Sequence, residues 1–413
     1  MKKTIGSMSY VGSTAAISQL LVMIQSFLLA RFLGPEKYGF IAAALAITTL
    51  TSIIIDGGMD TWLLHRGSLT DHKADLANQV FAIKLVLSFF WGIPLLLVAT
   101  KLRPAIYLPP VIALTIVAVA IDAYAKTVYT FYFITDRFKE SSLILVVSRF
   151  VRVLGTIVLI SIASTNPVHY LLLRAIIDLL FFIILLIRSG IRLKFVKPAN
   201  LTNTFKKALP YGYSEVLSTI YNQSDVNLVS LISSNLQVIS YFSIAINIVN
   251  AVFAVIQTLQ NVIIPKLAVT FEKNWNRFNE NSRRVGLGFL LIGVITWFGI
   301  SAFGSKLIVN TLGVQYSNAF NILKNISGIF ILRSLVMALT SLLIATNNQT
   351  RRFTPQIFAV ITKVVTGIFA ISRLGVASVP LPYLISEMVL LAGLGAACSK
   401  WVWKSHSNKR EAV

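Results

Sequence analysis

An all-α integral membrane protein of about 12 transmembrane helices is the architecture this 413-residue sequence predicts. Three observations lead there. Only 13% of the residues are charged and 56% are hydrophobic, whereas a soluble domain carries about 25% charged residues, so too few polar side chains remain to cover a water-facing surface. Apolar runs of about 20 residues, the length that crosses the hydrocarbon core, recur along the whole chain. The basic residues gather in alternate gaps between those runs.

The first run, about 8–33, follows Lys2 and Lys3. It exceeds a signal-peptide core and lacks a small-x-small cleavage site, so it reads as a retained first helix. The later spans fall at about 39–58, 79–99, 107–133, 141–163, 168–187, 209–232, 238–263, 285–303, 319–345, 356–372 and 380–402. Between the fifth and sixth only Ser164-Thr165-Asn166-Pro167 intervenes, and its Asn-Pro pair makes a turn. With both termini cytoplasmic, 23 Lys and Arg side chains lie on that side; the opposite side holds six: Arg31, Lys37, Lys101, Arg103, Lys306 and Arg373. This satisfies the positive-inside rule, and an even number of spans agrees with it. The net charge of +22 therefore reads as topology, not as a nucleic-acid footprint.

The basic loop near 188–208 divides the spans six and six: an N-terminal lobe at 1–190, a cytoplasmic linker at 191–208 and a C-terminal lobe at 209–413. Transporters often arise by such duplication. A shift of 201 residues pairs Tyr10 with Tyr211, Thr49 with Asn250, Asp56 with Gln257 and Asp60 with Asn261. Identity is low, but the polar positions coincide, which apolar composition does not explain.

Chemistry by cysteine or metal finds no support. The single cysteine, Cys398, permits no internal disulfide, and His65, His72, His169 and His406 lack ligand spacing. There is no Walker A loop, zinc-binding His pattern or Gly-x-Ser-x-Gly elbow, so neither a cofactor nor an enzyme is expected.

Ionisable residues inside the spans carry the functional reading, because a charge at the bilayer centre costs roughly 2.5–3.5 kcal/mol and so faces a bundle interior or watery cavity. Lys84 and Lys324, about a turn from helix ends, are positioned to snorkel. Asp122 with Lys126, and Arg174 with Asp178, have the i,i+4 spacing of ion pairs. Arg149 and Arg152 lie near a span centre on one face with no acid within a turn, and Arg333 and Lys363 are similarly deep. Two readings stand for these four: ion pairs between helices, with Glu387 or Asp225 as partners, or an anion-binding lumen. Two polar stripes at helical spacing add to this: Glu215, Ser218/Thr219, Asn222 and Asp225 in the seventh span, and Asn247, Asn250, Gln257 and Asn261 in the eighth. Amides and hydroxyls glue helices together, yet matching stripes on successive helices favour a wet wall. Asp56 and Asp60 repeat the theme in the second span.

The segment from Leu29-Ala30-Arg31 through Gly34-Pro35-Glu36-Lys37-Tyr38-Gly39, followed by a span ending Asp56-Gly57-Gly58, resembles the opening of the polysaccharide-transporter family of the multidrug/oligosaccharidyl-lipid/polysaccharide exporter superfamily. Leu209-Pro210-Tyr211 through Asp225, and on to Ile264-Pro265-Lys266, is similar to that family's seventh and eighth helices. The match looks closest to O-antigen (Wzx-type) flippases. In the second half, Ile232 and Asn235 stand at the places of Arg31 and Gly34, so the signature marks the first lobe alone.

The resemblance implies two six-helix lobes around a central cavity, opened alternately to each side of a bacterial inner membrane, and a cargo of undecaprenyl-pyrophosphate-linked oligosaccharide. It implies a cationic cavity, for which Arg149, Arg152, Arg333 and Lys363 are candidates by depth, since Arg binds phosphate oxygens bidentately. Asp56, Glu215 or Asp225 are candidates for coupling to proton or sodium entry, with Asn222, Asn250 and Gln257 lining the path. Membrane lipid and a polysaccharide polymerase are the other expected partners. The rival expectations are a multidrug antiporter of the same superfamily and a membrane polysaccharide polymerase; against the polymerase stands the lack of a long outer loop.

Overall fold

The computed structural model describes residues 2–192, 198–374, 378 and 380–402, and among them every regular element is a helix. Of the orienting charges, Lys194, Lys197, Lys404, Lys409 and Arg410 lie outside the described residues. Nine helices among them are long and apolar enough to cross a membrane. A tenth span forms if α11 (Ser317–Ile326) and α12 (Ile329–Ala345), bent by 48° at their break, are taken together.

The remaining two of the twelve have physical explanations. Helix α1 (Lys2–Thr51) is two helices meeting at Gly34, whose φ of 76° is open to glycine and strained for other residues. Pro35 follows, where its missing N–H costs nothing at a helix start. Helix α8 (Pro198–Ile232) is 35 residues long, about 50 Å at 1.5 Å per residue, but its polar stripe lowers its hydropathy. The second span continues past α1 through α2 (Ile53–Asp56) and α3 (Met59–Gly67). The others are α4 (Lys73–Leu102), α5 (Pro109–Ile134), α6 (Phe138–Ser161), α7 (Pro167–Ser189), α9 (Leu236–Lys273), α10 (Trp275–Leu312), α13 (Phe353–Leu374) and α14 (Pro380–Ala397).

The chain forms two compact units, residues 20–240 and residues 1–19 with 241–413. Helix α8, whose residues 209–232 fall in the C-terminal lobe by sequence, packs within the unit of 20–240.

In that unit Met59, Trp62, Leu63, Val80, Phe131, Tyr132, Leu185 and Ala208 form a buried apolar core, and Phe81 stacks on Phe182 at 5.9 Å. The helices are tied at their ends by cations on backbone carbonyls, which a helix C-terminus leaves unsatisfied. Lys73 donates to the Ile134 carbonyl at 2.8 Å and Arg137 to that of Arg188 at 3.0 Å. At the opposite helix ends Arg103 donates to the carbonyls of Ser230 (3.2 Å) and Ser233 (2.9 Å) at the end of α8. Tyr107 meets the Ser230 hydroxyl at 3.3 Å, and burial pushes its phenol above the ordinary value, so it stays protonated.

Glycines bring backbones into contact at two places. A Cβ on Gly39 would strike the Leu236 carbonyl. At the break between α2 and α3, Gly57 (φ 51°) and Gly58 (φ 81°) both adopt the left-handed conformation, and Gly58 lies directly on the backbone of Gly212 in α8.

In the other unit α10 packs on α12, and α14 packs on both α12 and α13. Phe253 stacks on Phe330 at 5.9 Å, and Tyr241 meets Tyr316 edge-on at 5.7 Å. In both units large apolar side chains such as Phe90 (74% exposed), Ile187 (74%) and Phe298 (64%) point outward. Water would not tolerate such an apolar surface on this scale, but lipid does.

Replacing Gly58 by Ala forces a Cβ into the Gly212 backbone at a strained φ, and thermal melts in detergent are expected to show a loss of at least about 1–3 kcal/mol. Gly288→Ala, where nothing lies within 4 Å, is expected to match or slightly exceed the wild-type melting temperature, by up to about 1 kcal/mol. Equal melting of both variants would show that the α3–α8 contact does not hold the fold.

Candidate functional site

Polar side chains at membrane depth collect in three nests. The first surrounds the break in the second span. Asp56 stands just before Gly57-Gly58 and Asp60 just after them, so both carboxylates point the same way across the unwound backbone. Lys84 of α4 lies between them, its Nζ 2.7 Å from each, and it also donates to the Ala123 carbonyl at 3.1 Å. Thr127 donates to Asp60 at 2.9 Å. Lys126 of α5 is 3.8 Å from both aspartates and 2.9 Å from Glu215 of α8, which also accepts from Thr61 at 3.2 Å. Lys84 is fully buried, but the Lys126 and Glu215 side chains are 49% and 30% exposed. One side of the nest therefore opens to solvent while the other is sealed. Three carboxylates face two ammonium groups, a formal excess of one negative charge.

The second nest lies between α1, α6 and α7 in the same unit. Arg149, Arg152 and Arg174 line a cavity of about 110 Å³ together with Gln25, Ser26, Tyr38 and Tyr170, well above the roughly 15 Å³ that admits a water. Arg152 reaches Asp178 at 3.3 Å; Arg174 reaches Asp178 at 3.4 Å and Asp122 at 2.9 Å. Among the described residues the Nε–H groups of Arg149 and Arg152 are buried with no acceptor. Buried donors are normally bonded, and none of the described residues supplies these two. Three guanidinium groups face two carboxylates, an excess of one positive charge.

The third nest is in the unit containing 241–413. Arg333 lies 3.5 Å from Glu387 and donates to the Tyr383 hydroxyl at 3.4 Å. Lys363, 2% exposed, sits 4.8 Å over the Tyr383 ring.

These placements amend the sequence reading at three points. Lys84 does not snorkel, because two aspartates and a carbonyl hold it inside the bundle. Lys126 turns from Asp122, four residues back on α5, to Glu215, and Asp122 goes to Arg174. The acid paired with Arg152 is Asp178, not Glu387 or Asp225; Arg333 does pair with Glu387. Of the stripe on α8, Asp225 is buried while Asn222 is exposed and folds back on Ser218. The stripe on α9 stays accessible: Asn250 is half-buried and Gln257 exposed, while Ile248, Val249 and Ile256 on other faces are buried. Sequence reasoning placed Asp60 on a polar stripe and Arg174 in an ion pair without making either a site residue, and it missed Thr127; the signal was Asp56 and Asp60 flanking a Gly-Gly pair. Among the described residues no three of His, Cys, Asp and Glu converge to hold a metal ion.

A lipid-facing exterior enclosing charged nests and a broken span defines a multi-pass membrane protein. Solved structures agree on the fold. The chain is similar to the lipid II flippase MurJ in an inward closed conformation (TM-score 0.78, 16% identity, 96% of this chain and 88% of that one). It is similar to an inward-facing multidrug resistance MATE family transporter of the MOP superfamily (0.73, 13%, 98% and 99%). A third likeness is to a MOP superfamily transporter from Pyrococcus furiosus (0.67, 11%, 98% and 96%). No curated protein matches the sequence. The chain belongs to the family described as polysaccharide biosynthesis protein, whose model matches residues 28–321.

Lys84→Met leaves Asp56 and Asp60 buried against the partial compensation of Lys126 alone. Removing one partner of a buried pair costs about 3–5 kcal/mol, so the variant is expected to accumulate poorly and melt early. Adding Asp56→Asn and Asp60→Asn to it is expected to recover much of that loss. Failure of the triple variant to melt above Lys84→Met would mean that Lys84 acts by packing, not by charge.

Proposed function

We propose that this protein is a flippase of the bacterial inner membrane, carrying an undecaprenyl-pyrophosphate-linked oligosaccharide, such as an O-antigen repeat unit, from the cytoplasmic to the outer leaflet. The observation that carries the reading is the arginine cavity, in which Arg149 and Arg152 keep buried Nε–H donors unbonded. A diphosphate supplies the acceptors they lack, and guanidinium groups bind its oxygens in matched pairs. Family membership and the likeness to a lipid II flippase support a lipid-linked cargo. The sugars and pyrophosphate cross on polar side chains that replace their hydration, while the prenyl tail remains in lipid. Arg333 and Lys363 are further anion-binding residues, and Asn222, Asn250 and Gln257 are polar residues that the cargo meets. Both termini are cytoplasmic.

Coupling falls to the carboxylate nest. Its formal excess of one negative charge is removed by one proton, and the exposed Lys126–Glu215 pair is the door through which that proton exchanges. Asp56 and Glu215 are the coupling groups, Asp225 a further carboxylate on the same helix. Sodium requires several oxygens turned toward one point, and here the aspartate oxygens already point at Lys84. The rival reading, multidrug antiport, draws on the same nest, since its negative excess suits a cationic drug.

In a strain lacking the protein, complete lipid-linked repeat units are expected to accumulate facing the cytoplasm. Single repeat units at the cell surface would instead make the protein a polymerase. In proteoliposomes, Arg149→Gln and Arg152→Gln are each expected to slow flipping of a pyrophosphate-linked glycolipid by about tenfold or more, the loss of one charge-assisted hydrogen bond. Wild-type rates in both variants, with efflux of a cationic dye lost in Glu215→Gln, would favour the antiporter. Unchanged flipping after collapse of the proton gradient would remove the coupling role.

A further inference from the structure

A second cavity, of about 450 Å³, opens where α3, the 68–72 turn, α4 and the start of α8 meet. Its volume is that of an ordinary small-molecule site, and it belongs to none of the three nests. Arg66 and Lys207, both exposed, line it with Trp62, Gln79, Asn203 and Thr204. No acid is among the lining residues. Among the described residues neither Arg66 nor Lys207 forms an ion pair; the neighbouring Asp75 turns to His72 at 3.9 Å. Trp62 is 4% exposed, and among the described residues its indole N–H makes no hydrogen bond. Gln79 is held in place by Thr204, which donates to its Oε1 at 2.6 Å, leaving the Gln79 amide N–H groups as donors. The wall thus presents two cations and several N–H donors and no competing carboxylate, which is a lining for an anion.

We propose that this cavity binds a phosphate ester at the membrane surface, with Arg66 and Lys207 on its oxygens and the Trp62 N–H as a third donor. The chemistry fits the headgroup of an anionic lipid and a free phosphate compound alike. The position gives the site a use. Along α8, Lys207 lies about 12 Å, eight residues, from Glu215. Between them the Tyr211 hydroxyl meets His65 Nδ1 at 3.4 Å, and next comes the Thr61–Glu215 contact. The seam between α3 and α8 therefore leads from the cavity to the solvent-facing side of the carboxylate nest. Its role as a loading station for cargo rests on the flippase reading; binding itself does not.

The test uses the full-length protein in neutral detergent, titrated with inorganic pyrophosphate by calorimetry. In parallel, the protein is reconstituted in nanodiscs of phosphatidylcholine with or without phosphatidylglycerol, and co-purifying phosphatidylglycerol is counted. Arg66→Gln with Lys207→Gln is expected to weaken binding about tenfold or more, and Trp62→Phe a few-fold. Lys206→Gln, an exposed neighbour outside the lining, is expected to bind as wild type. The charge-conserving Arg66→Lys with Lys207→Arg is expected to keep most of the affinity, which separates lost contacts from a lost fold. Pyrophosphate binding alone identifies a free phosphate compound as the source, and phosphatidylglycerol retention alone identifies a lipid headgroup. Binding of neither probe, an unaffected double Gln variant, or an equal loss in Lys206→Gln overturns the site. A wild-type protein that binds but flips nothing in proteoliposomes would sink the flippase reading and leave this site standing.

Discussion

Everything polar inside this protein answers to one constraint: a charge taken out of water into a lipid-embedded bundle must meet an opposite charge or hydrogen bonds. Lys84 shows the rule at its strictest. It has no contact with solvent, and its ammonium is matched by two aspartates and a carbonyl. To deliver those aspartates from one span, the helix has to break between them, and the break requires two glycines in left-handed conformation and a third, Gly212, against which the opened backbone can lie. The ion pair, the glycines and the seating of α8 are therefore one construction.

Helix α5 joins that construction to the arginine nest. Asp122 turns to Arg174, while Lys126 and Thr127, just over a turn later, serve Glu215 and Asp60. A rotation of α5 would disturb both nests at once. Neither nest is neutral with its groups in their ordinary ionised forms: one lacks a positive charge, the other a negative one. Structural ion pairs alone would be closed more cheaply by equal numbers. The arginine nest adds buried donors left over and the carboxylate nest an exposed side, in keeping with the anion binding and proton exchange proposed for them.

The helices were legible because composition and spacing act locally: too few charges to cover a soluble surface, apolar runs of spanning length, and a Gly-Pro pair where α1 bends at Gly34. Partners were legible only where sequence places them on one helix. Arg174 and Asp178, four residues apart, do meet; Asp122 and Lys126 have the same spacing but part, Asp122 going to Arg174 on α7 and Lys126 to Glu215 on α8. Lys84 looked free to snorkel since its aspartates lie on another helix, and only the break at Gly57-Gly58 aims them. Helix α8 was assigned by order along the chain, whereas its packing follows the Gly58–Gly212 contact and the Arg103 bonds at its far end. Depth in the bilayer could be read from sequence; lateral neighbours required the fold.

The signature around Gly34-Pro35 has a consequence for how such sequences are interpreted. Gly34 makes the bend, Pro35 starts the next helix, Tyr38 walls the arginine cavity and Gly39 admits the Leu236 carbonyl. Three of those four tasks are carpentry. A chain bearing this string of residues therefore advertises a joint between its first two helices, and two chains sharing it can be built alike while differing in what they bind.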